Sequence, residues 1–166
     1  LRLSEPIQYY LLPENKNPFL NLIEALPQSD FTSLIYGAGW QIIASIQQFK
    51  HQIGTNCEDR FYYFGDLDYE GLHIWHNLNE QIKTVLALPF YEALLKKSPS
   101  TGKVNQKRHE ASVEAFLSQC EDAQKNVIET MLRSYGYYPQ ETLNKDELAA
   151  IIKSITLNVM KIQNVN

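Results

Sequence analysis

The sequence predicts an α/β protein, a parallel-sheet sandwich with helices on both faces and a C-terminal helical extension. Three observations predict it. Short apolar runs, too continuous to have one wet face, alternate with stretches whose apolar residues recur at helical spacing. Four such runs stand in the first half of the chain, each closed by Pro or Gly. Acidic residues follow the first and the third, where the loops of a parallel sheet converge.

The elements follow in order. Residues 7–12 (IQYYLL) form the first strand and stop at Pro13; Phe19, Leu22, Ile23 and Leu26 then trace a helix. Residues 33–36 (SLIY) give a second strand ended by GAG, and Ile42, Ile43, Ile46 and Phe49 mark a second helix. Residues 61–64 (FYYF) give a third strand, followed by a stripe of Leu72, Trp75, Leu78 and Ile82; residues 84–88 (TVLAL) give a fourth, closed by Pro89. Residues 96–109 carry five Lys or Arg and no acid, with Pro and Gly between them, and read as a mobile loop. Val113, Phe116, Val127, Ile128, Met131 and Leu132 outline one or two further helices, with Gly136 as their stop. Asn144 and Glu147 form a capping box for a last helix through Leu148, Ile151, Ile152 and Ile155, before a frayed tail at 161–166. Residues 1–90 are thus the core and 91–166 the basic loop and helical extension of the same domain.

The bulk numbers bound the function. A hydrophobic fraction of 44% and a charged fraction of 20% are ordinary for a folded domain, and no apolar run is long enough to cross a membrane. A net charge of −4 argues against non-specific nucleic-acid binding over the whole surface, while leaving room for a local basic strip. Cys57 and Cys120, too few and too far apart for a disulfide framework or a zinc site, favour a reducing compartment, the cytoplasm. A chain opening on Leu1 reads as a part of a longer protein.

The chemistry gathers in GDLDYEG, residues 65–71. Asp66 and Asp68, one residue apart, repel one another unless a counter-charge lies between them. If the first and third strands lie side by side, Glu14 faces this pair across a crevice. Three carboxylates with no basic partner nearby make a hard-oxygen cage for Mg²⁺ or Mn²⁺. Gly65 lets the backbone turn and Gly71 lets the next helix start close to the sheet.

A strand ending in Glu14-Asn15, a second ending in a Gly turn and a third ending in GDLDYEG together resemble the Toprim fold of topoisomerases, primases and related nucleases. The fuller run GDLDYEGLHIW is most similar to the branch shared by the topoisomerase VI A subunit and the nuclease JetD of Wadjet anti-plasmid systems. PQETL, residues 139–143, is similar to a Gln-Glu segment of JetD-type domains. The resemblance is close over residues 7–80 and looser over 81–158. It implies Mg²⁺-dependent cleavage of DNA, with Glu14 as general acid or base and Asp66 and Asp68 as metal-holding carboxylates. It adds Asn15, Glu70 and Glu141 as candidate supporting residues; His73, near the first turn of the helix after the Asp pair, could reach the site by position, beside a structural role for it. Its implied partners are DNA, a second copy, a winged-helix part of the same chain and an SMC-type ATPase complex. Lys96, Lys97, Lys103, Lys107 and Arg108 could track a DNA backbone beside the acidic site.

Two other readings stand beside this one. A Toprim module kept for DNA binding or dimerisation would carry the same carboxylates without turnover. A haloacid-dehalogenase-type phosphatase also places Asp-x-Asp after a strand, but on the first strand of its fold and with Thr or Val where Glu70 stands. The Gly37–Trp40 turn lacks the third glycine of a dinucleotide fingerprint, and STGK at 100–103 lacks both ends of a phosphate-binding loop.

Overall fold

The computed structural model describes residues 6–54 and 58–157; Cys57 and the tail at 161–166 lie outside them. Strand β1 (Tyr9–Pro13), helix α1 (Lys16–Leu22), β2 (Ser33–Leu34), α2 (Gln41–Ile53), β3 (Arg60–Phe64), α3 (Tyr69–Gln81) and β4 (Thr84–Leu86) alternate as the sequence predicts. They form one parallel sheet in the order β2-β1-β3-β4. The chain leaves β1 toward β2 on one side and returns to β3 on the other. The crevice above β1 and β3 is therefore a topological switch point, where ligands of open α/β sheets bind.

The strands run apolar because both faces are covered. Leu11, Leu12 and Phe64 are wholly buried, each contributing about 1.5–3 kcal/mol through removal of its side chain from water. Helix α3 packs against α2 and against α5 (Glu110–Ser118), while α1 packs with α7 (Lys145–Ser154). Right-handed crossovers place these two groups on opposite faces.

The remaining elements are α4 (Leu88–Leu95), β5 (Ser100–Thr101), α6 (Asp122–Arg133) and β6 (Gly136–Tyr137). Helix α4 corrects the expected fourth strand, which ends at Leu86: Pro89 sits in the first turn of a helix, where its missing N–H has no bond to lose. Phe90 from this helix stacks on Phe64 at 4.6 Å. Residues 90 and 91 both lie within α4, and one buried cluster runs from Tyr10 to Ile152. Asn144 and Glu147 form the expected capping box of α7. Gly136 is not the stop of α6; that helix ends at Arg133, and Tyr135 takes the left-handed conformation (φ 58°).

The stretch 96–109 is tied down rather than loose. β5 pairs antiparallel with β6, and Leu67 of the GDLDYEG loop bridges Tyr138 just beyond it. Most of the partners that hold this strap, Asp66, Asp68, Tyr137 and Glu147 among them, lie more than thirty residues away in sequence, and composition alone does not reveal them. No helix among the described residues is long and apolar enough to cross a membrane.

Candidate functional site

Parallel pairing sets Pro13 opposite Phe64, so the next residues, Glu14 and Gly65, meet at the carboxyl edge of the sheet. The Glu14 amide donates to the Phe64 carbonyl at 2.9 Å. Its carboxylate folds over Gly65: Oε2 accepts from the Tyr63 hydroxyl at 2.6 Å and the Asp66 amide at 3.3 Å. Gly65 is required for space rather than for a turn. A Cβ there would lie 2.3 Å from Glu14 Oε2 and 2.4 Å from the Tyr63 hydroxyl. The Gly65 amide donates to the Tyr91 hydroxyl at 2.9 Å. Gly71 likewise leaves room for the Asp66 carbonyl.

Burial raises the Glu14 carboxyl to about 7; the Tyr63 hydrogen bond opposes this, and the charges of Asp66 and Asp68 add to it. Glu14 therefore exchanges a proton near neutrality, as a general acid or base needs to.

Each aspartate divides its oxygens. Asp66 Oδ1 accepts from the Gln140 amide at 2.8 Å and Asn15 Nδ2 at 3.1 Å. Asp68 caps α3, with Oδ1 accepting from the Gly71 amide at 2.7 Å. The two Oδ2 atoms face a shared position held by Lys103, whose ammonium donates to Asp68 and lies 3.5 Å from Asp66. Gln106 Nε2 donates to the same Asp68 oxygen at 3.1 Å. Burial raises the Asp66 pKa first, with the Gln140 bond opposing and the Asp68 charge assisting.

The three predicted carboxylates thus come together, but the expectation that no basic residue lies near them is overturned. Lys103 offsets the repulsion of the aspartates, and Glu14 Oε2 turns toward Tyr63. Among the described residues no group of three or more His, Cys, Asp or Glu side chains is placed to hold a metal ion. The donor chemistry nevertheless fits a hard cation, since two carboxylate oxygens converge on a single positive charge.

The supporting candidates divide. Asn15 occupies the N-cap of α1 without capping it, its side chain being spent on Asp66 and, at 3.4 Å, on Glu141. Glu141 is exposed at this rim. Glu70 points away, accepting from Trp40 Nε1 at 3.2 Å. His73 is not brought to the carboxylates: it stacks on His109 at 3.6 Å and shares a hydrogen bond with Ser112.

The expected basic strip is largely spent as well. Lys97 pairs with Glu147, Lys103 with the aspartates, and Arg108 with Glu110 and Glu129. Lys96 and Lys107 are exposed. Lys107 borders a cavity of about 280 Å³ with Trp40, His73, Gln106 and His109, adjoining the site through Gln106.

Sequence reasoning missed Gln140, which is wholly buried. Its Nε2 donates to the Phe64 carbonyl at 2.7 Å, and its Oε1 accepts from the Asn15 amide at 2.9 Å. It also missed Tyr63 and Tyr91. The available signal was tyrosine in place of phenylalanine within fully covered elements, because a buried phenol needs a polar partner.

An α/β domain carrying a Glu and an Asp pair at the switch point of a parallel sheet, with the repulsion balanced by a resident cation, is the class these observations define. The family Wadjet protein JetD, C-terminal, matches residues 1–152, and the chain belongs to it. No curated protein and no solved structure matches it.

Proposed function

We propose that this domain is the Toprim-type, metal-dependent DNA-cleaving site of a JetD nuclease. The observation that carries the reading is the convergence of Asp66 Oδ2 and Asp68 Oδ2 on one cation position at the sheet's switch point, with Glu14 beside them. Family membership supports it. Asp66 and Asp68 would hold Mg²⁺ or Mn²⁺, with Glu14 adjacent; such an ion neutralises charge building on a phosphate and lowers the pKa of a coordinated water. Glu14 moves the proton: its Oε2 is committed to Tyr63 and the Asp66 amide, so exchange with water or a leaving oxygen falls to Oε1. Asn15 and Gln140 keep Asp66 turned outward. Lys96 and Lys107 remain to meet a DNA backbone. The partners this reading brings are DNA, a second copy of the chain, a winged-helix part and an SMC-type ATPase complex.

The test is nicking of supercoiled plasmid by the complete protein with Mg²⁺ or Mn²⁺, abolished in Asp66→Ala. One observation favours the non-catalytic alternative, a DNA-binding or dimerisation module: Lys103 already balances the aspartates. No nicking by the complete protein would decide for that alternative.

A further inference from the structure

Lys103 has no task in the cleavage reading, yet its place is built. It follows β5 in the strap, immediately after Gly102, whose φ of +120° is one that L residues rarely adopt. Beyond that turn the Lys103 ammonium meets Asp68 Oδ2, Asp66 Oδ2 and the face of the Tyr137 ring at 4.4 Å. Burial works against a charge there, and the two carboxylates outweigh it, raising the Lys103 pKa. Because each Oδ1 is bound within the fold, the Oδ2 atoms are the ones that face a cation, and Lys103 holds both. An ammonium and a divalent ion cannot share that position.

From this geometry we infer that Lys103 is a resident counter-ion of the Asp66–Asp68 pair, exchanged for the divalent cation when the site is loaded and returning when it empties. The inference rests on the metal reading above. Its physical basis is that two close carboxylates left without a cation would repel, so an empty site would otherwise drive the motif loop apart. The strap suits a withdrawal: Val104, Asn105 and Lys107 beside it are exposed, and the lysine stem has four rotatable carbons. Lys103 is thus a positioning residue, acting through the aspartates.

The experiment is calorimetric titration of the complete protein with Mn²⁺ alone, for the wild type and Lys103→Met, with thermal melts confirming that both are folded. Removing the competitor is expected to tighten Mn²⁺ binding by about tenfold, the equivalent of ~1.4 kcal/mol, whereas loss of a merely structural lysine would leave it equal or weaker. A second readout uses the wild type only. Acetylation of Lys103, followed by mass spectrometry with exposed Lys96 as internal reference, is expected to rise severalfold when Mn²⁺ is added. Equal or weaker Mn²⁺ binding in the variant, or unchanged Lys103 labelling at saturating Mn²⁺, overturns the exchange and leaves the metal reading standing. Absence of Mn²⁺ binding in both chains overturns the metal reading and the exchange together.

Discussion

The motif loop at 65–71 and the strap at 96–109 face each other across the same two aspartates, and they are held by different forces. The loop is fixed from inside: Gly65 by Tyr91, Leu67 by its pairing with Tyr138, Asp68 by capping α3, with Leu67 wholly buried. The strap is fastened largely through charged and polar side chains, Lys103 and Gln106 to Asp68 and Arg108 to Glu129 and Tyr69. The difference teaches which partner can move. Buried backbone bonds cannot be exchanged with water at small cost, whereas Lys103, its side chain 31% exposed, can leave its carboxylates when another cation takes its place.

The sharpest way to break this contrast is Asp68→Ala. It removes a helix cap and strands Lys103, and should destabilise the protein by about 3 kcal/mol in urea unfolding. Gln140→Leu attacks the anchored side differently. It leaves the Asn15 amide unpaired and the Phe64 carbonyl with the Glu14 amide as its remaining donor, and a loss of about 2 kcal/mol is expected by the same measurement. Glu14→Gln sharpens the picture through pH. The folded carboxyl titrates near 7 and an unfolded one near 4.5, so between these values the native state binds more protons and stability falls as pH rises. The variant should therefore abolish that slope and be about 3 kcal/mol more stable than wild type at pH 8, with little difference at pH 4. On the strap, Arg108→Ala should cost about 1 kcal/mol and Lys97→Ala nothing measurable in thermal melts. Strap variants as costly as Asp68→Ala would erase the distinction between the two regions.

Much of this was legible in the sequence, for reasons that can be named. Strands covered on both faces must be continuously apolar, so β1 and β3 announce themselves in the sequence. Right-handed crossovers allow these two strands to pair without requiring it, so the meeting of Glu14 with Asp66 is conditional in the sequence and explicit only in the sheet order. Helix α4 was hidden because Leu88-Pro89-Phe90 reads equally well as the end of a strand, and only packing on Phe64 decides it. In the sequence Lys103 is one of five basic residues that could track a DNA backbone; its pairing with the aspartates is hidden because they lie thirty-five and thirty-seven residues away, a separation no local pattern encodes. Gln140 was overlooked beside its charged neighbour Glu141, since a buried amide matters only once the carbonyl it satisfies is known.

Gln140 also bears on how the molecule comes into being. The sheet is complete once β4 has emerged from the ribosome, yet the tips of β1 and β3 are stitched together, and Asp66 aimed, by a residue made much later. A nascent chain halted in the strap would own every acidic group of the site and still lack its final shape. Translation itself thus delays the finished centre until nearly the whole domain exists.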